Sequence, residues 1–188
     1  MLTNLDNLTN EIAVNIESPV LTSFSKFINF IFDPIALIII LLGISIYLFF
    51  YSSRKKGIIL AGTAIATAAV VTILKNIIQR ARPENAIIES SGFSFPSGHS
   101  TLILVFLGSL IYLFAKGKTR KNTIIISIPI ILIVGLTRVY LRIHFLTDII
   151  AGIAIGSLII WGMIIWPSSS DPQVLPPSTV TDSDATRV

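Results

Sequence analysis

The chain holds two histidines, and each stands among residues whose types and spacing carry chemistry. His144 precedes Asp148 by four positions. One helical turn stacks such a pair on a single face. A carboxylate beside an imidazole fixes its tautomer and supports the charge it gains on reacting, which is the orienting half of a catalytic triad. The imidazole can itself be the nucleophile, giving a phosphohistidine. The competing reading is a structural His–Asp hydrogen bond at a helix entry, with Thr147 as cap. The other histidine closes Pro96-Ser97-Gly98-His99, directly before an apolar run. Ser97 suits an N-cap, Gly98 lets a ligand approach the backbone, and the first N–H groups of the helix favour an anion. Three cations, Lys75, Arg82 and Arg138, fall near the same helix ends. Like charges gathered there need an anion among them, and guanidinium groups match phosphate oxygens two at a time. Snorkelling of Lys and Arg at a membrane interface is the bland alternative for each cation singly.

These residues must be positioned by elements that cross a bilayer. Of 188 residues, 53% are hydrophobic and 13% charged, with mean hydropathy +0.83. Soluble domains carry about 25% charged residues. Spanning helices need roughly 20 apolar residues, and five runs qualify, near 34–52, 58–76, 98–115, 123–141 and 147–166. Residues 19–32 place Val20, Phe24, Phe27, Phe30 and Ile31 at helical spacing among polar residues. This pattern predicts an amphipathic helix in the interface, or a short sixth span. The fold class is therefore all-α: a polytopic membrane helix bundle of five spanning helices plus an N-terminal interfacial (or sixth) helix. The expected organisation is an N-terminal segment over 1–33, a membrane-embedded domain over 34–166 and a Ser-, Pro- and Asp-rich tail over 167–188, read as disordered. Residues 1–17 are polar and mildly acidic and do not read as a cleavable signal peptide.

Charge sets the orientation. Arg54, Lys55, Lys56, Lys116, Lys118, Arg120 and Lys121 lie on one side. Once the candidate phosphate ligands are set aside, Lys26, Arg80 and Arg142 remain on the other. The positive-inside rule puts the 54–57 and 116–122 loops in the cytoplasm and the histidines outside it. The basic pI of about 9.6 follows from these loops and does not point to nucleic acid.

In order, Lys75-x6-Arg82-Pro83, Pro96-Ser97-Gly98-His99 and Arg138-x5-His144-x3-Asp148 resemble the tripartite signature of the type-2 phosphatidic acid phosphatase superfamily. The resemblance covers residues 60–165; Thr137 stands where the family usually has serine. It implies an integral-membrane hydrolase acting on a lipid phosphate. It also implies that His144 is the nucleophile, Asp148 its orienting partner and His99 the acid for the leaving oxygen. Lys75, Arg82, Arg138, Ser97 and the Gly98 N–H would hold the phosphoryl oxygens. Pro83 and Pro96 belong to the signature without an assigned chemical role. No cofactor and no metal is expected: two histidines and one nearby aspartate make a poor metal cage.

Gly117-Lys118-Thr119 superficially resembles the end of a P-loop, but Tyr112 stands where the second glycine belongs. A transporter would repeat polar residues at the bilayer midplane, where this chain has Ile, Leu, Ala and Val. A non-catalytic lipid binder descended from the family would have lost a key His, Arg or Asp. A phosphatase for water-soluble esters is the third rival. The short Glu84–Phe95 stretch leaves no large lid and predicts a site open sideways to the bilayer. Within the resembled family, a small member whose site faces outward looks most like an isoprenyl diphosphate phosphatase, so the resemblance implies an isoprenyl diphosphate as substrate, with phosphatidylglycerophosphate or phosphatidic acid as the alternative. Oligomeric state is not legible.

Overall fold

The computed structural model describes residues 3–165; the expected tail lies outside them. Among the described residues there are seven α-helices and no strands: α1 Asn4–Asn15, α2 Pro19–Ile31, α3 Pro34–Tyr51, α4 Arg54–Ile78, α5 Gly98–Phe114, α6 Gly117–Tyr140 and α7 Leu146–Ile165. The five apolar runs reappear as α3 to α7. Two begin earlier than hydropathy suggests. Helix α4 starts at Arg54 and α6 at Gly117, because their basic first turns are helical although they contribute nothing to an apolar window.

By length and composition, α4, α6, α7 and the stretch Pro19–Tyr51 can cross a membrane, while α5 is a shorter apolar helix. The Pro19–Tyr51 stretch is two helices. Asp33 interrupts it, and its Oδ1 accepts N–H bonds from Ile35 and Ala36 at 3.0 Å to cap α3, with Pro34 in the first turn. At 1.5 Å per residue the 13 residues of α2 reach about 20 Å, short of the roughly 30 Å hydrocarbon core. Three of its polar residues face the protein: Ser25 is buried, Asn29 accepts from Arg138, and Thr22 meets the Tyr140 hydroxyl at 2.9 Å, while Ser23 and Lys26 are exposed. Val20, Phe27 and Phe30 face outward. This inverts the amphipathicity of a water-soluble surface helix and suits a lipid boundary.

The bundle core runs through Leu41, Leu48, Leu60, Ala64, Leu113 and Met163, with a second cluster of Leu37, Leu102, Ile103 and Val134 nearer the site. Exposed Ile, Leu and Phe cover the outside of the long helices. Helices α5 and α7 approach closely at glycines. A Cβ on Gly152 would sit 2.7 Å from the Ser97 carbonyl oxygen, and one on Gly156 would sit 3.0 Å from that of Thr101. The Gly152-x3-Gly156 pattern thus packs within the bundle.

Helix α1 is an addition to the sequence reading, which left 1–17 without structure. A reciprocal capping box starts it: Thr3 Oγ1 accepts from Asp6 N at 3.1 Å, and the Asp6 carboxylate accepts from Thr3 N. The helix lies against α6 and α7 at the end of the bundle that carries the long 79–97 connection.

Candidate active site

Three local devices set the site. The first is the end of α6. Arg138 lies in its last turn, and the chain then reverses through a Schellman-type turn: Ile143 N–H donates to Arg138 O at 3.2 Å and Arg142 N–H to Val139 O at 2.9 Å. Arg142 occupies the left-handed region at φ 54°, where glycine is usual, and its guanidinium pairs with Glu17 at 2.9 Å. This turn fixes the spacing from Arg138 to His144. The second device is the start of α7. Asp148 Oδ2 reaches back to Phe145 N–H at 2.9 Å, as the third residue of a capping box does. Asp148 is therefore a helix cap as well as the neighbour of His144, and Thr147 does not act as the cap. The third is the start of α5, where Ser97 is the N-cap and accepts from Ser100 N–H.

The 79–97 connection closes on itself and docks on the α6–α7 turn. Ser94 N–H donates to Arg80 O at 2.8 Å, Ile87 N–H donates to Leu141 O at 3.0 Å, and Ile87 and Ile88 pack on Tyr140, Leu141 and Ile143. Arg82 ties the two connections together, donating to the carbonyls of Ser91, Gly92 and Ile143 at 2.7–3.0 Å. Lys75 Nζ donates to Phe93 O at 2.5 Å.

These elements bring Lys75, Arg82, Gly98, His99 and His144 around one cavity of about 270 Å³. Its remaining wall is largely apolar and comes from α3, α4 and α5, including Ile38, Ala68, Val71 and Leu102. Ser97, Arg138 and Asp148 lie behind the wall, each fully buried. The Ser97 hydroxyl is committed to its helix cap. Arg138 donates to Asn29, to Val134 O and to Thr137 Oγ1. Thr137, the departure from the usual serine, thus keeps the hydroxyl that meets the arginine.

His144 Nδ1 lies 3.4 Å from Asp148 Oδ2, within ion-pair range but not aligned as a hydrogen bond. His99 Nε2 is buried without a hydrogen-bond partner among the described residues. Burial pushes the His144 pKa down to about 4, and nearby Arg82 and Lys75 lower it further against the opposing pull of Asp148. The imidazole is neutral at physiological pH. Burial also lowers Arg82 from its ordinary value, countered by the charge of Asp148.

Two functional-site neighbours escaped the sequence reading. Arg80 Nη1 donates to Asp148 Oδ1 at 2.6 Å, and its Nη2 donates to Asp6 Oδ2 at 2.7 Å. Asp6 is fully buried and also accepts Thr147 N–H at 3.0 Å. Burial disfavours its charge, but the bonds from Thr147 and Arg80 outweigh this and hold its pKa at about 2. The readable signal was Thr3-x-x-Asp6, a capping box that announces α1. Among the described residues, no three His, Cys, Asp or Glu side chains converge to hold a metal ion. A larger cleft of about 440 Å³ between α4 and α7 is lined by apolar residues, glycines and Thr63, whose hydroxyl is spent on Ile59 O.

A buried neutral imidazole beside a carboxylate, a second histidine and a cationic rim, set at the end of an apolar bundle, define a membrane phosphohydrolase. The chain belongs to the PAP2 superfamily, whose family model matches residues 56–171. It is 31% identical to phosphatidylglycerophosphatase B of Bacillus subtilis (strain 168) over 160 residues, 82% of this chain and 79% of that one. The crystal structure of a transmembrane PAP2-type phosphatidylglycerolphosphate phosphatase from Bacillus subtilis superposes with TM-score 0.77 at 30% identity, covering 89% of this chain and 87% of that one. An undecaprenyl-diphosphatase of Sulfolobus acidocaldarius is 28% identical, over 61% of this chain and 57% of its own length. The protein is thus an integral-membrane lipid phosphatase, a hydrolase of phosphate esters.

Proposed function

We propose that the protein hydrolyses a lipid phosphate monoester through a phosphohistidine on His144. The observation that carries this reading is the single cavity that joins both histidines and two cations to an apolar wall. With Nδ1 turned to Asp148, His144 presents Nε2 to phosphorus. The new P–N bond forms as the P–O bond to the lipid breaks, and His99 gives its proton to the departing oxygen. Water, deprotonated by His99, then cleaves the P–N bond and releases phosphate. Lys75 and Arg82 at the rim, with the Gly98 N–H and helix α5 dipole, stabilise charge on the equatorial oxygens. Arg138, Ser97 and Asp148 support from behind the wall.

Helices α3 to α7 span the bilayer as the phosphatase domain, α2 lies in the interface, and α1 sits over the outer end. The site faces away from the cytoplasm, and substrate tails leave past Ile38 and Ala68 into hydrocarbon. Similarity along most of both chains to a phosphatidylglycerophosphatase supports a glycerol-based monophosphate as substrate. This reverses the order expected from sequence. An isoprenyl diphosphate is the second reading, supported by the shorter match to an undecaprenyl-diphosphatase.

The test is phosphate release by purified protein from phosphatidylglycerophosphate, phosphatidic acid, undecaprenyl diphosphate and a water-soluble phosphate ester. The glycerol-based lipids should be cleaved fastest, and His144→Ala should abolish turnover. Faster release from the diphosphate would restore the isoprenyl reading; preference for the soluble ester would remove lipid from the proposal.

A further inference from the structure

The reaction requires Asp148 to support the positive charge that His144 gains on phosphorylation. Yet Asp148 is not free to do so alone. Its Oδ1 carries an Arg80 N–H at 2.6 Å, and that cation draws on the same negative charge. Asp6, from α1, sits on the other edge of the guanidinium at 2.7 Å. Thr147 Oγ1 bridges the group, accepting from Arg80 Nη1 at 2.6 Å and lying 2.9–3.0 Å from both Asp6 oxygens. The Phe145 ring covers the guanidinium at 4.2 Å from its centroid. Asp6 and Asp148 are both fully buried, so water does little to screen them.

We infer that Asp6 and Arg80 are positioning residues for the reaction, forming an Asp6–Arg80–Asp148 relay through which the N-terminal helix holds Asp148 in place and leaves its charge available to His144. Two carboxylates about one guanidinium carry a net single negative charge. Without Asp6, Arg80 and Asp148 neutralise each other, and the phosphorylated imidazole loses its counter-charge. The relay lies partly outside residues 56–171, the region matched by the family, since Asp6 comes from α1. It rests on the assignment of His144 and Asp148 as the reacting pair.

The test uses the full chain in detergent micelles with short-chain phosphatidic acid as probe. Asp6→Asn keeps size and removes charge. It should lower kcat by on the order of tenfold, as loss of an outer-shell partner does, with KM within about twofold because no phosphate contact is lost. Thr3→Ala removes the α1 cap but keeps the Asp6 carboxylate. It should lower thermal stability and leave kcat near wild type, separating loss of helix from loss of charge. Should Asp6→Asn fail to accumulate, Arg80→Lys decides: it keeps the charge but loses the planar two-nitrogen fork that holds Asp6 at 2.7 Å and Asp148 at 2.6 Å, so Asp148 is no longer held in place and the same kcat-specific loss should appear. Wild-type kcat in Asp6→Asn or in Arg80→Lys, or a loss carried by KM, overturns the relay. His144→Ala run in parallel separates the two ideas. If it is inactive while Asp6→Asn is fully active, only the relay falls; if it is active, the reacting pair itself is wrong.

Discussion

In the proposed mechanism His144 attacks phosphorus and must be unprotonated at Nε2, a condition that burial favours. Its pKa is lowered from 6.5 to about 4. The acid limb of kcat/KM that His144 sets should therefore lie near pH 4 rather than near 6.5. An acid limb at the ordinary histidine value would show that the imidazole is solvated in the working enzyme. The same shift has a sign for stability. The folded protein holds neutral His144 more strongly than the unfolded chain does, so this contribution is complete above about 6.5 and is lost as pH falls toward 4. Asp148→Asn should retain the Phe145 cap, since the amide oxygen still accepts, while removing the counter-charge. We expect a kcat loss of about a thousandfold with the protein still folded, measured by phosphate release beside a thermal melt. Spacing made His144 and Asp148 legible, because one helical turn joins them. It could not reveal Asp6 and Arg80, which lie 141 residues from Thr147 and 68 from Asp148 respectively. Only the packing of α1 and of the 79–97 connection onto the start of α7 brings them in.

At the scale of elements, the signature motifs are helix termini. Arg138 precedes a Schellman-type turn, Asp148 caps α7, and Ser97 caps α5, so each spacing records how a helix ends or begins. Hydropathy found α3 to α7 because apolar runs are long. It misplaced the starts of α4 and α6, whose first turns are basic, and it missed α1, whose stability comes from a cap and one buried carboxylate rather than an apolar stripe. The α5–α7 contact joins two of these termini. Gly152 faces the Ser97 carbonyl, so Gly152→Ala puts a Cβ at 2.7 Å from backbone, which cannot swing away as a side chain would. The α5 cap must shift, and His99 shifts with it. A thermal melt should register about 1–3 kcal/mol of destabilisation, typical of overpacking, with activity falling further than stability alone explains. Unchanged activity in Gly152→Ala would show that the position of the α5 terminus is not critical to His99.

For the whole molecule, orientation decides which lipids the site can meet. Basic residues at the starts of α4 and α6 mark one end of the bundle; α1, the 79–97 connection and the α6–α7 turn mark the other. In the proposed orientation, drawn from the positive-inside rule, the first end is cytoplasmic. The cations at the opposite end do not contradict this, because they are held by the site: Lys75 and Arg82 grip loop carbonyls, Arg138 is buried against Asn29, and Arg80 is shared by two carboxylates. The chain contains no cysteine, so single-cysteine variants report one position each without background. Lys118 and Glu89 are exposed at opposite ends. In intact cells, a membrane-impermeant maleimide should label Glu89→Cys and spare Lys118→Cys until the membrane is opened. The reverse pattern would place the histidines in the cytoplasm. The enzyme would then act on lipid phosphates of the inner leaflet, and the count of basic loop residues would have been outweighed by the cations of the site.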